Sequence, residues 1–197
     1  MTTPLLSELE RIVESACAAE TNVFGYDIWS HHINRVVENG KRLAPLFGAD
    51  AEIVEVSALL HDYASVKDAA LYQDHHIHSP AEAERLLREL GYPEAKIEAV
   101  KYCIAGHRGS VPGERATPEA ECLANADALA HLEGVPALMY LVYVRKGMGI
   151  DEGARWIREK LARSWNKLSP QVREHARGRF EAALLLLSDP VSEEVSR

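Results

Sequence analysis

The chain has 197 residues, 47% of them hydrophobic and 26% charged, which suits one domain with a sizeable core, or one domain carrying a helical extension. A formal net charge of −8 and a pI of about 5.6 argue against a binder of nucleic-acid polymers or membrane surfaces, both of which are anionic. A small phosphorylated substrate stays compatible with that charge, because a bound cation reverses the local field.

Cys17, Cys103 and Cys122 form no CxxC, so neither a zinc ribbon nor a disulfide framework is indicated. They read as reduced, buried thiols of a cytoplasmic protein. The opening residues lack the basic start and apolar centre of a signal peptide. No run reaches the roughly 18 apolar residues of a membrane span.

In chain order, the periodicity predicts helix after helix. Thr3-Pro4 caps the first, with Leu5, Leu6, Leu9, Ile12, Val13 and Ala16 at helical spacing to about Glu20. A second is expected from Asp27 to Leu46, stopped at Gly48, with Pro45 distorting its last turn. A third, capped by Asp50, runs to His61 and is apolar nearly all round, the mark of a buried central helix.

Residues 63–78 read as a polar, histidine-rich connection with weak helical potential at Val66 to Leu71. Ser79-Pro80-Ala81-Glu82 reads as a capping box opening a helix to Leu90, with Gly91 as its stop. Further helices are expected over Pro93–Ala105, after Thr117-Pro118, from Asp151 through Leu168, and from Ser169-Pro170 to about Ser188. Gly106, Gly109 and Gly113 suggest a loop that closes over a site, or a turn-rich connector. The apolar stretches Leu138–Val144 and Leu184–Leu187 read as core. No strand pair or repeat is evident, so the fold class is all-α, a compact multi-helix bundle.

Within that pattern, Ala58-Leu59-Leu60-His61-Asp62 ends an apolar helix in a histidine and an aspartate. Burying such a pair unpartnered costs several kcal/mol. A divalent cation resolves the conflict, since imidazole nitrogen and carboxylate oxygen both ligate it. His32, His78, His107 and Asp127 are the further candidates, each on a different predicted helix or loop. Nine histidines also scatter by chance, so spacing alone leaves a metal site and ordinary hydrogen-bonded histidines both open.

The order His32-Ile33-Asn34-Arg35-Val36, then Ala58-Leu59-Leu60-His61-Asp62, then Asn125-Ala126-Asp127-Ala128-Leu129 resembles the HD-domain superfamily of metal-dependent phosphohydrolases. The resemblance covers about residues 27–131, leaving a helical extension at about 135–188. It implies His32, His61, Asp62 and Asp127 as ligands of one metal, with His32 preferred to His31 because the family's histidine stands three residues before Arg-Val. Two-metal members are similar in adding two histidines between the pair and the last aspartate, which implies His78 and His107. One or two ions of Mn, Mg, Fe, Co, Ni or Zn are compatible with this set.

The resemblance further implies hydrolysis of a small phosphorylated compound, such as a nucleotide, by metal-activated water. Asp62 is then the shared catalytic carboxylate, and Lys67, Arg108 and Arg35 are candidates to hold the phosphate. For Arg35 a salt bridge orienting a ligand carboxylate is the plainer reading, and for Lys67 a solvated loop lysine. Two alternatives stand beside this: oxidative chemistry at a di-iron site, and a non-catalytic metal- or nucleotide-binding sensor. The sequence leaves a homo-oligomer open.

Overall fold

The structure is a computed structural model in which residues 4–108 and 115–188 are described. Thr3, Gly109, Gly113 and the segment after Ser188 lie outside the described residues, so the first cap, the glycine-rich loop and the tail are not treated further. All regular elements among the described residues are helical.

Helix α1 (Pro4–Ala18) buries Leu6, Leu9, Val13 and Cys17 along one stripe. A π turn, Trp29–Ile33, leads directly into α2 (Asn34–Phe47), and the Asn34 N–H reaches back to the Trp29 carbonyl. This wide turn carries His31 and His32. Such insertions re-aim side chains and gather at functional sites. Gly48 ends α2 at φ +66°, a left-handed conformation costly for residues with a Cβ.

In α3 (Ala51–Leu60) the Asp50 carboxylate accepts from the Glu52 and Ile53 N–H groups, as the sequence suggested. Seven of its ten residues are buried, which places its C-terminal end, and therefore His61, in the interior.

The polar connection is more ordered than expected. It forms α4 (Tyr63–Lys67), a 3₁₀ turn (Ala69–Asp74), and the start of α5 (His75–Glu89). The apparent capping box at Ser79 is therefore not a helix start. Ser79 is buried inside α5, and its hydroxyl accepts from the Ala64 N–H at 3.2 Å. A helix beginning at His75 puts His75 and Ser79, four residues apart, on one inward face. His78 falls on the exposed side.

Helix α6 (Glu94–Gly106) packs on α5 and α3. Helix α7 (Pro118–Glu133), capped by the Thr117 hydroxyl, is buried along nearly its whole length between α2, α3, α6 and α9. Helix α8 (Val135–Tyr140) continues into a second π turn, Leu141–Arg145. Helix α9 (Ile150–Lys167) lies along α7, and α10 (Pro170–Leu186) covers both. The two apolar stretches divide: Leu138, Val142 and Leu187 are buried, whereas Val144, Leu185 and Leu186 are exposed, so a stripe read as all core is core on one side only.

Close packing of α2 depends on Gly40. A Cβ there would stand 2.7 Å from Val54 Cγ1, a branched atom held in the core. The small helical gain of Gly40→Ala is expected to be outweighed by overpacking, for a net loss of about 1–3 kcal/mol in chemical denaturation.

Candidate metal centre

Five elements deliver one histidine or aspartate each to the same interior point, or in one case two. His32 comes from the π turn, and His61 and Asp62 from the end of α3. His75 opens α5, His107 follows α6, and Asp127 lies midway along α7. His61 is fully buried, and His107 and Asp127 are nearly so.

Three of the imidazoles are oriented by the same device. Each Nδ1 lies against the carbonyl three residues earlier: His61 on Ala58 at 2.7 Å, His75 on Tyr72 at 2.7 Å, His107 on Ile104 at 2.5 Å. Donation by Nδ1–H there leaves Nε2 with a free lone pair. Burial lowers the His61 pKa and drives the His107 pKa well below the ordinary histidine value, so both rings stay neutral.

The Nε2 atoms converge in two pairs. His32 and His61 bring theirs to 3.2 Å, and so do His75 and His107. Asp62 stands between the pairs and divides its oxygens. Oδ2 lies 3.4 Å from His32 and 3.5 Å from His61, while Oδ1 lies 3.2 Å from His75 and 3.8 Å from His107. Asp127 Oδ1 approaches the first pair, at 3.6 Å from His32 and 4.0 Å from His61.

Lone pairs of neutral imidazoles facing each other and a carboxylate repel unless a cation sits among them, so these donors fit divalent metal. His32, His61, Asp62 and Asp127 fit one ion. Asp62, His75 and His107 form a second group of facing donors.

Burial works to raise the Asp62 pKa, and charge on the facing His61, His75 and His32 rings works to lower it. Burial also opposes ionisation of Asp127, and there the Lys167 ammonium, followed by His131 and His32, wins. Lys167 donates to Asp127 Oδ2 and, at 3.0 Å, to the His107 carbonyl. His131, one turn after Asp127, stacks on His32 at 4.8 Å between ring centres and places Nδ1 3.6 Å from Asp127 Oδ1.

Most of the remaining sequence candidates lie away from the cluster. His78 is exposed, and His75 occupies the inward position. Lys67 is exposed and pairs with Glu82 at 2.9 Å, the solvated-lysine reading. Arg35 donates to the Glu133 carbonyl at 3.3 Å and lines neither cavity beside the cluster. Arg108 does border the site, held by the Gln73 carbonyl and, at 3.1 Å, by His76 Nδ1. His31 is exposed beside Ser30. Burial pushes the Cys103 thiol up to about 12, which removes it as a nucleophile.

Two cavities meet over Asp62. One, of about 310 Å³, is polar and lined by Arg108, Lys160, Arg163, Ser164 and Lys167 with the His75–His107 side of the cluster. The other, of about 280 Å³, is apolar and lined by Phe24, Ile28, Leu138, Leu141 and Trp156 beside His32. Asp62, Tyr72, His131, Trp156 and Lys160 border both.

Comparison with known proteins agrees with this architecture. The chain aligns over 92% of its length with 93% of Bacillus subtilis YpgQ in complex with ADP, at 23% identity and a TM-score of 0.69. An HD-superfamily hydrolase from Bacillus thuringiensis aligns over 98% of this chain and 97% of its own, at 19% identity and a TM-score of 0.68. A predicted HD-superfamily hydrolase from an uncultured Thermotogales bacterium aligns over 96% and 93%, at 22% identity and a TM-score of 0.62. At these identities the likeness is one of fold. No curated protein matches the chain in sequence. No helix among the described residues is long and apolar enough to cross a membrane. The family model of the HD domain matches residues 29–132, more than half the chain, and the chain therefore belongs to the HD-domain family.

Proposed function

We propose that this protein is a metal-dependent phosphohydrolase acting on a small phosphorylated compound, nucleotides among them, at a two-ion site. The observation that carries the reading is the division of Asp62, with one oxygen facing the His32–His61 pair and the other facing His75–His107. In this reading His32, His61, Asp62 and Asp127 hold one ion and Asp62, His75 and His107 the other, with His75 in the place expected for His78. A divalent cation there supplies Lewis acidity and an acidified water at neutral pH.

The chain's own residues do the rest. The Ala58, Tyr72 and Ile104 carbonyls fix the ring orientations. Lys167 fixes Asp127, and Arg108 offers a fixed guanidinium on the wall of the polar cavity, suited to phosphoryl oxygens. The complex of the related YpgQ fold with ADP supports a nucleotide as one ligand class.

A phosphatase panel with Mn²⁺, Mg²⁺, Co²⁺, Ni²⁺ and Fe²⁺ varied in parallel tests the reading. Turnover should appear with at least one metal and vanish on chelation. Absence of product from phosphomonoesters, nucleoside triphosphates and cyclic nucleotides alike would overturn it. Metal analysis separates the two histidines: His75→Ala should lose about one bound ion per chain, and His78→Ala none. Equal metal content in both variants would remove His75 from the site.

A further inference from the structure

Helix α9 lies beyond the family match at 29–132 and carries Lys160, Arg163, Ser164 and Lys167 along the polar cavity. Lys167 is engaged by Asp127 and the His107 carbonyl. Lys160 is not engaged. Half-buried where the two cavities meet, its ammonium makes no hydrogen bond or ion pair among the described residues. Burial lowers its pKa, Asp127 and Asp62 oppose that, and Arg163 and Arg108 add to it.

Those last two cations are themselves weakly spent. Arg108 contacts the neutral Gln73 carbonyl and His76. Exposed Arg163 has Glu159 at 3.8 Å, one turn back on its own helix. Three cationic groups thus border one cavity whose carboxylates, Asp62 and Asp127, face the imidazole cluster and Lys167 instead. Such an arrangement is unfavourable until an anion enters. One reacting phosphoryl group held at the metal ions leaves these three unanswered.

We propose that Lys160, Arg163 and Arg108 form a subsite for phosphoryl groups beyond the one that reacts, so that organic di- and triphosphates are preferred over monophosphates. The proposal rests on the phosphohydrolase reading for turnover, but not for binding. Across Lys160, the apolar cavity bounded by Phe24, Ile28, Leu138 and Trp156 receives the organic group.

The test compares p-nitrophenyl phosphate with a nucleoside mono-, di- and triphosphate on the Mn²⁺-loaded protein. Lys160→Gln and Arg163→Gln should each lower kcat/KM for the triphosphate by about ten- to a hundredfold, mainly through KM, as loss of a charge-assisted contact predicts. The loss on p-nitrophenyl phosphate should stay below about threefold, the scale of a screened distant charge. Lys160→Arg should recover most of the triphosphate activity. Equal losses on both substrates, or none, would overturn the subsite.

Calorimetric titration of a non-hydrolysable triphosphate analogue into the same proteins gives an answer independent of turnover. Binding at least about tenfold weaker in Lys160→Gln than in the wild type supports the subsite even if no substrate is cleaved, in which case only the hydrolase reading falls. Equal binding overturns the subsite even if hydrolysis is robust.

Discussion

Asp62→Asn should reduce kcat/KM on any substrate by on the order of a thousandfold or more, and should strip metal from both halves of the centre. Asparagine keeps the shape of the side chain and removes its charge. Among the described residues no other group presents one oxygen to each imidazole pair, so under the two-ion proposal one substitution weakens two sites at once. The nearest comparison is His107→Ala, which removes a donor from one pair only and should leave about one ion bound. Steady-state kinetics with metal analysis of the purified variants checks both. An Asp62→Asn protein that keeps its full metal content and activity within tenfold of wild type would contradict the bridging role.

Lys167→Met should be the most destabilising single change in the metal-free protein, with a loss of about 3–5 kcal/mol. Asp127 is 5% exposed and Lys167 9%, so removing the ammonium leaves a buried carboxylate without its strongest partner. Methionine keeps much of the stem and its packing, which isolates the charge effect. The same pair links α9 to α7 and, through the His107 carbonyl, to the end of α6.

Acid sensitivity should move with it. The native Asp127 pKa is depressed, so its contribution is complete above the unfolded value of about 3.9 and is lost as pH falls from there through the depressed native value. Without Lys167 that depression shrinks while burial still raises the pKa, so acid unfolding should begin at higher pH. Denaturant titrations in chelator across pH 3 to 7 check this. A loss under about 1 kcal/mol with an unmoved acid limb would show that the pair contributes little.

Much of the fold was legible because its signals are local. Asp50 and Thr117 cap where their sequence contexts indicated, and the apolar run of α3 forecast a central helix ending at His61. The site was less legible where tertiary contact overrides local preference. Ser79 with Glu82 reads as a helix start, yet Ser79 spends its hydroxyl on Ala64, and the helix begins a turn earlier at His75. That single shift exchanges His78 for His75 at the cluster.

Lys160, Arg163 and Lys167 follow the spacing of a solvated helix face, and only the packing of α9 along α7 sets that face along the polar cavity. His131 was within reach: its position four residues after Asp127 on a helix places the two on one side. Lys67 and Arg35 were selected by nearness in sequence to ligand candidates, which says nothing about where a long side chain ends. Their ends rest on Glu82 and on the Glu133 carbonyl.

Anomalous diffraction from crystals soaked in Mn²⁺ tests the two-ion centre most directly. Two peaks are predicted: one enclosed by His32, His61, Asp62 and Asp127, the other by Asp62, His75 and His107. Peaks absent from this cluster, or a single peak that leaves His75 and His107 without metal at saturating Mn²⁺, would contradict it.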